Sequence, residues 1–152
     1  MKIKTVFPVF ALVYVLLMSS VLYAAQEERE ERIHFQKGST SVIVQGTITG
    51  SQYVRYKISA GTGQHMIVTL KTNHNGNYFN IYEPGNGPGN EAMYAATMNG
   101  LRYEGILPAN GEYTLSVFLM RYAARRDETA KYSLEITVDG EVQADLASYP
   151  AL

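Results

Sequence analysis

The sequence predicts an all-β protein, an antiparallel β-sandwich of about eight strands that forms a single domain. Apolar residues recur at every second position in short runs, which is the spacing expected of strands with one buried face. Turn signals rich in Gly, Asn and Pro separate these runs, and no segment beyond the N-terminus has a sustained helical period. Short strands punctuated in this way are typical of a sandwich.

The chain begins with a secretory signal peptide, which we assign to residues 1–24. Lys2 and Lys4 precede an apolar run over residues 6–18, small residues follow, and cleavage is expected after Ala24 or Ala25. The run is short for a membrane span, and a mainly acidic segment follows it. We therefore expect export to the periplasm of a Gram-negative bacterium, with no membrane contact after signal cleavage.

Charge and composition exclude several classes of function. Loss of Lys2 and Lys4 leaves eleven Lys and Arg against 14 Asp and Glu, a formal charge of −3, which gives no basis for nucleic-acid binding. The chain has no cysteine, so neither disulfides nor thiolate metal sites are available. The histidines His34, His65 and His74 lie far apart in the sequence, and we expect neither a metal nor another cofactor.

The strands are predicted to begin after a charged N-terminal segment. The run "EEREER" at residues 27–32 indicates that residues 25–32 form a flexible terminus, and the sandwich domain is assigned to residues 33–139. Residues 140–152 have no clear period and are assigned as a C-terminal tail. The residues predicted to face the core are, strand by strand, Val42 and Val44; Val54, Tyr56 and Ile58; Met66, Val68 and Leu70; Phe79 and Ile81; Leu101 and Tyr103; Tyr113, Leu115, Val117 and Leu119; and Tyr132, Leu134, Ile136 and Val138.

Neither a phosphate loop nor a catalytic motif is present. The segment "YEPGNGPGNEA", residues 82–92, lacks the lysine and the strand-to-helix context of a phosphate loop, and is interpreted as a wide connection between the two sheets. No G-x-S-x-G motif accompanies the serines, and the acidic residues fall mostly in turns or at the termini. We therefore expect no catalytic residues and no enzyme activity.

The segment "FLMRYAARRDETAKYSLEI", residues 118–136, begins and ends as β-strand but carries three arginines in between. A hairpin needs two to five loop residues, whereas about ten are used here, a length often found in functional projections. If the segment makes one helical turn, Arg121 and Arg125 share a face. Their planar guanidinium groups would suit a carboxylate on a partner.

A purely structural role for these arginines is the alternative. Arg125 or Arg126 would then pair with Asp127 or Glu128 and hold the loop in shape. Those two acids could engage one or two of the three arginines, which leaves at least one guanidinium without a nearby acid.

The segments "YTLSVFLMRYAARRDETAKYSLEITV" and "FQKGSTSVIVQGTITGSQYVRYKISAGTGQ" resemble the bacterial periplasmic inhibitors of g-type (goose-type) lysozyme. The resemblance covers residues 33–138, and its most specific element is Arg-x-x-Ala-Arg before a Thr-x-x-Tyr strand. It implies an antiparallel β-sandwich that inserts a protruding patch into the lysozyme's substrate cleft. The lysozyme-binding residues expected on this basis are Arg121, Arg125, Arg126, Ser51 and Tyr53.

One position departs from the family pattern. The family carries a contact tyrosine in a Gly-Tyr-Asp-Tyr turn, whereas this chain reads "GSQY" over residues 50–53, with Ser51 in place of the first tyrosine. Loss of an interface aromatic can remove about 2 kcal/mol or more of binding energy. Tyr53 is expected to compensate for part of that loss.

Two functions follow from these observations. In the first, the arginine segment occludes the cleft of g-type lysozyme, and a guanidinium pairs with the glutamate that acts as general acid. In the alternative, the sandwich binds glycan or peptidoglycan and uses Tyr78, Tyr82 and Tyr94 as exposed stacking platforms.

Overall fold

The computed structural model describes residues 28–141, which form a two-sheet β-sandwich with nine strands and two single-turn helices. The strands are β1 (Glu28–Arg32), β2 (Ser41–Thr49), β3 (Tyr53–Ala60), β4 (His65–Thr72), β5 (Asn77–Tyr82), β6 (Tyr94–Ala95), β7 (Arg102–Ile106), β8 (Gly111–Leu119) and β9 (Thr129–Asp139). The helices are α1 (Ala96–Asn99) and α2 (Arg121–Ala124). The predicted fold class is confirmed. The predicted signal peptide lies outside the described residues, as does the tail beyond residue 141.

The first sheet has the strand order β1-β3-β8-β5-β6, and the second has the order β2-β9-β4-β7. Every strand pair is antiparallel except β1 and β3, which run parallel. All the residues predicted to face the core from β3, β4, β5, β8 and β9 are buried. Those predicted from β2, and Leu101 and Tyr103 at the start of β7, are partly buried against them. The period-two pattern therefore identified most of the core, although it missed Ile48 on β2 and Leu107, which are also buried. Within residues 28–141, both helices are too short and too polar to span a membrane.

The prediction that residues 25–32 form a flexible terminus is wrong for Glu28–Arg32, which is strand β1. This strand pairs with β3, and the N–H of Ile33 continues the ladder by donating to the carbonyl of Lys57 at 2.9 Å. The carboxylate of Glu30 lies 3.2 Å from the guanidinium of Arg55. An edge strand needs a backbone partner on one side only, and its charged side chains stay at the surface. A charged run can therefore form an edge strand.

Two connections also differ from the predictions. Residues 83–93 join β5 to β6, which are neighbours within the first sheet, so the Gly/Pro segment does not cross between sheets. Residues 120–128 do cross, because β8 lies in the first sheet and β9 in the second, and they are not the tip of a hairpin. The crossing alone does not account for this length, because residues 50–52 and 73–76 also cross between the sheets.

Two buried tyrosines meet between the sheets. The hydroxyl groups of Tyr56 on β3 and Tyr132 on β9 lie 2.8 Å apart, and the two residues are 0% and 5% exposed. Burial raises the pKa of both hydroxyls, because a phenolate loses more hydration than a neutral phenol does. Their protonation is thereby linked to folding.

We expect the free energy of unfolding to fall above pH 10, the pKa of a free tyrosine, because the unfolded chain then ionises these groups and the folded chain does not. At pH 11 the ionisation of Tyr132 in the unfolded chain costs about 1.4 kcal/mol of stability relative to pH 8. Urea unfolding at both pH values checks this, with Tyr132→Phe as the comparison. The variant should lose less stability than the wild type, and an equal loss would contradict the linkage.

Candidate functional site

Three turns meet at one end of the sandwich, which we call the three-turn end: residues 50–52 between β2 and β3, residues 73–76 between β4 and β5, and residues 120–128 between β8 and β9. The N–H of Gly50 donates to the carbonyl of Glu128 at 3.0 Å, which joins the first and third turns. The N–H of Met120 donates to the carbonyl of Gly76 at 2.8 Å, which joins the second and third. Segments far apart in sequence therefore form one surface.

The helical turn that the sequence predicts in the arginine segment is α2. The N–H of Arg125 donates to the carbonyl of Arg121 at 3.0 Å, which closes the turn. The side chain of Ala123 is fully buried and anchors the turn in the core. Asp127 follows with φ of 50°, a left-handed conformation that Asp adopts more readily than most residues.

Arg121 and Arg125 are both exposed on this turn. Within residues 28–141, no ion pair or side-chain hydrogen bond engages either guanidinium. The interpretation in which the protein's own acids hold these two arginines is therefore not supported for the described part of the chain. Two fixed positive charges, each with five donors, remain available at the surface.

Arg126 differs from the other two arginines. Its Nε donates to Glu128 Oε1 at 2.7 Å, and its guanidinium carbon lies 5.5 Å from the centre of the Tyr122 ring, within cation–π range. The structural interpretation is thus correct for Arg126 but not for Arg125. Whether Arg126 also contacts a partner stays a prediction.

A groove of about 810 Å³ adjoins α2 on the outer face of the first sheet. Phe118 lies in its floor, Pro88 of the Gly/Pro segment forms part of one wall, and Arg121 and Arg125 line the end nearest α2. These two arginines are the charged residues of the lining, which holds no Asp or Glu among the described residues. The groove is therefore suited to an anionic group at that end.

Ser51 and Tyr53 line the same groove as Arg121 and Arg125. Ser51 is exposed in the β2–β3 turn, while Tyr53 is half-buried and its hydroxyl donates to Glu28 Oε2 at 2.6 Å. The structure thus brings four of the five predicted residues together. Arg126 lies outside the groove lining.

Sequence reasoning missed two supporting residues. Glu28 holds the hydroxyl of Tyr53 from β1, and Glu128 contacts both Arg126 and His74. The sequence predicted Glu128 only as a local partner for Arg125 or Arg126. It contained no signal that Glu28 would lie beside Tyr53 on the neighbouring strand. Such pairs depend on strand register, which the tertiary structure sets.

The three tyrosines named in the glycan-binding alternative are buried or half-buried. Tyr82 is 5% exposed, so the prediction that it is an exposed stacking residue is wrong. The ring of Tyr94 packs against Phe79 and Tyr103, with ring centres 5.6 and 5.1 Å away, and Tyr78 is half-buried against the core. Period-two alternation alone does not distinguish a strand face that loops cover from one that is open to solvent.

In the described part of the chain, no group of three His, Asp or Glu residues is arranged to hold a metal ion.

Two solved structures of similar proteins come from the same family. The crystal structure of PliG from Aeromonas hydrophila, a periplasmic lysozyme inhibitor of g-type lysozyme, matches 76% of this chain and all of that chain, with 32% identity and a TM-score of 0.71. The Salmonella Typhimurium PliG structure matches 73% of this chain and 98% of its own, with 29% identity and a TM-score of 0.56.

A curated protein agrees with these structures. The inhibitor of g-type lysozyme from Escherichia coli K12 is 28% identical over 138 residues, which cover 91% of this chain and 99% of that protein. No protein-family model matches the sequence. The identity to the Aeromonas protein and the full coverage of its length are sufficient to assign the chain: it belongs to the family of periplasmic inhibitors of g-type lysozyme.

Proposed function

We propose that this protein inhibits a g-type lysozyme by placing Arg121 and Arg125 in the enzyme's substrate cleft. The observation that carries the proposal is the exposure of two guanidinium groups on α2, without an acidic partner in the described chain, beside a groove that Ser51 and Tyr53 also line. Family membership agrees with the expectations that the protein is an inhibitor, not an enzyme, and that it acts in the periplasm.

The proposed mechanism is electrostatic as well as steric. A glycoside hydrolase needs a protonated carboxyl group to donate a proton to the leaving oxygen. A guanidinium within hydrogen-bonding distance lowers the pKa of that carboxyl and favours its ionised form, which cannot act as the acid. The arginine would therefore block substrate and also disable proton donation.

The geometry supports α2 and the adjoining groove as the contact surface, in place of the extended hairpin tip suggested by the sequence. The arginines lie on a turn that Ala123 anchors in the core, so the free protein presents them in a defined place. Ordering that precedes binding reduces the entropic cost of the complex. Ser51 and Tyr53 would meet the enzyme beside the arginines, with Ser51 offering a hydroxyl where the family carries an aromatic ring.

The assignment is tested with the purified exported chain, a g-type lysozyme and a peptidoglycan suspension whose turbidity falls as the enzyme acts. We expect the turbidity decrease to slow in proportion to added protein and to stop near a one-to-one ratio. A folded protein without effect on any g-type lysozyme would remove the assignment. Binding to soluble peptidoglycan fragments in the absence of enzyme would instead favour the glycan-binding alternative.

A further inference from the structure

Glu128 connects the three turns of the site. Its carboxylate accepts from Arg126 Nε at 2.7 Å through Oε1 and from His74 Nε2 at 2.7 Å through Oε2. Its backbone N–H donates to the carbonyl of Ala123 at 3.1 Å, and its own carbonyl accepts from the N–H of Gly50 at 3.0 Å. One residue therefore holds α2, the β4–β5 turn and the β2–β3 turn in a fixed arrangement.

The hydrogen bonds of His74 define its tautomer. The N–H of Gly76 donates to Nδ1 at 2.9 Å, so Nδ1 carries no hydrogen. Nε2 then carries the hydrogen and donates it to Glu128. His74 is 18% exposed at its side chain, which makes this contact better shielded than an ordinary surface pair. The imidazole thus links the β4–β5 turn to the connection that carries the arginines.

Tyr122 completes the set of contacts. Its hydroxyl lies over Gly76, where an added Cβ would come within 2.7 Å of that oxygen and 3.2 Å of His74 Cε1. Its ring lies beneath the guanidinium of Arg126. These contacts form a closed ring, which we call the Glu128 network. Its members are Gly76 and the side chains of His74, Tyr122, Arg126 and Glu128.

We propose that His74, Arg126 and Glu128 are positioning residues. They fix the orientation of α2, and hence of Arg121 and Arg125, before lysozyme binds. This inference rests on the proposed function. Within the network, the carboxylate of Glu128 is engaged by Arg126 and His74. It thereby orders the turn while leaving the guanidinium groups of Arg121 and Arg125 without a partner among the described residues. An ordered turn loses less conformational freedom on binding, which strengthens inhibition without any contact from the network itself.

Two substitutions of His74 separate its two contacts. The amide oxygen of Asn comes near the position of Nδ1, so His74→Asn keeps the bond from Gly76 and loses the link to Glu128. The amide nitrogen of Gln comes near the position of Nε2, so His74→Gln keeps the link to Glu128. We expect H74N to raise the inhibition constant about tenfold and H74Q to raise it by no more than about twofold.

The order of α2 is measured in the free protein by amide hydrogen exchange. The N–H groups of Ala124 and Arg125, which bond to the carbonyls of Met120 and Arg121, should exchange faster in H74N than in wild type. His65→Asn is the matched control, because His65 also lies beside two carboxylates, at 3.2 and 3.5 Å, but at the opposite end of β4. It should change neither exchange in α2 nor inhibition.

Arg126→Ala gives an independent test, since the Arg126 side chain is 64% exposed and the variant should fold. Faster exchange in α2 together with weaker inhibition supports the positioning role. Weaker inhibition with unchanged exchange would make Arg126 a contact residue and overturn that role. Unchanged inhibition by H74N would overturn the inference for His74. The exchange experiment needs no lysozyme, so failure of the network is distinguishable from failure of the proposed function.

Discussion

Replacing both Arg121 and Arg125 with alanine is expected to abolish inhibition of g-type lysozyme at concentrations where the wild type inhibits fully. Truncating one partner of a desolvated charge pair at an interface costs about 2–5 kcal/mol, or roughly 30-fold or more in Kd for each residue. Most of that change should appear as faster dissociation. The measurement is the inhibition constant from turbidity assays, supported by dissociation rates from surface binding.

Stability should hardly change in this double variant. Both side chains are exposed, and no ion pair or side-chain hydrogen bond within residues 28–141 engages either guanidinium, so unfolding in urea should match that of the wild type. Arg102→Ala is a suitable control, because Arg102 is also exposed but pairs with Glu104 on β7 and does not line the groove. Full inhibition by the double variant would disprove the arginine mechanism, even if the protein remains an inhibitor.

The substitution Gly46→Ala should produce the largest loss of stability predicted here for a change of one methyl group. Gly46 on β2 lies directly opposite Tyr132 on β9, and the tyrosine ring covers the space where a side chain would stand. A Cβ at position 46 would overlap the hydroxyl oxygen and lie 2.5 Å from the Cζ atom of Tyr132. The ring cannot move freely, because it is buried and its hydroxyl is bonded to Tyr56.

Overpacking of this kind typically costs 1–3 kcal/mol, and we expect about 2 kcal/mol or more for Gly46→Ala. Urea unfolding at neutral pH gives the value. Gly87→Ala is the matched control, since a Cβ at position 87 meets no atom within 4 Å, and its stability should be near that of the wild type. Equal stability of the two variants would mean that β2 shifts to accommodate the methyl group.

Period-two patterning identified the inward positions of the central strands. From Val54 on β3 to Val138 on β9, the predicted inward positions of the five central strands are buried, because a strand with one buried face must place alternate side chains in the core. The same pattern could not identify β1. Its side chains are mostly charged, and the strand is held by backbone pairing with β3 and by ion pairs to Arg55 and Glu112, which periodicity does not reveal.

The candidate site was only partly predictable. The spacing of Arg121 and Arg125 predicted one shared face on a helical turn, and α2 has that turn. The sequence spacing could not predict which arginine is paired with an acid. Glu128 binds Arg126 and His74, and His74 lies in the β4–β5 turn, 54 positions away in sequence. A choice among three neighbouring arginines thus depends on a residue that only folding brings close.

By itself, the sequence determined the fold class, the buried face of each central strand and the segment that we propose as the contact surface, because these depend on local periodicity and on residue type. The tertiary structure decided which sheet each strand joins, that β1 covers one edge, and which arginines remain available to a partner. Those features depend on strand register and on contacts between distant turns. Their energies arise only once the two sheets have packed together.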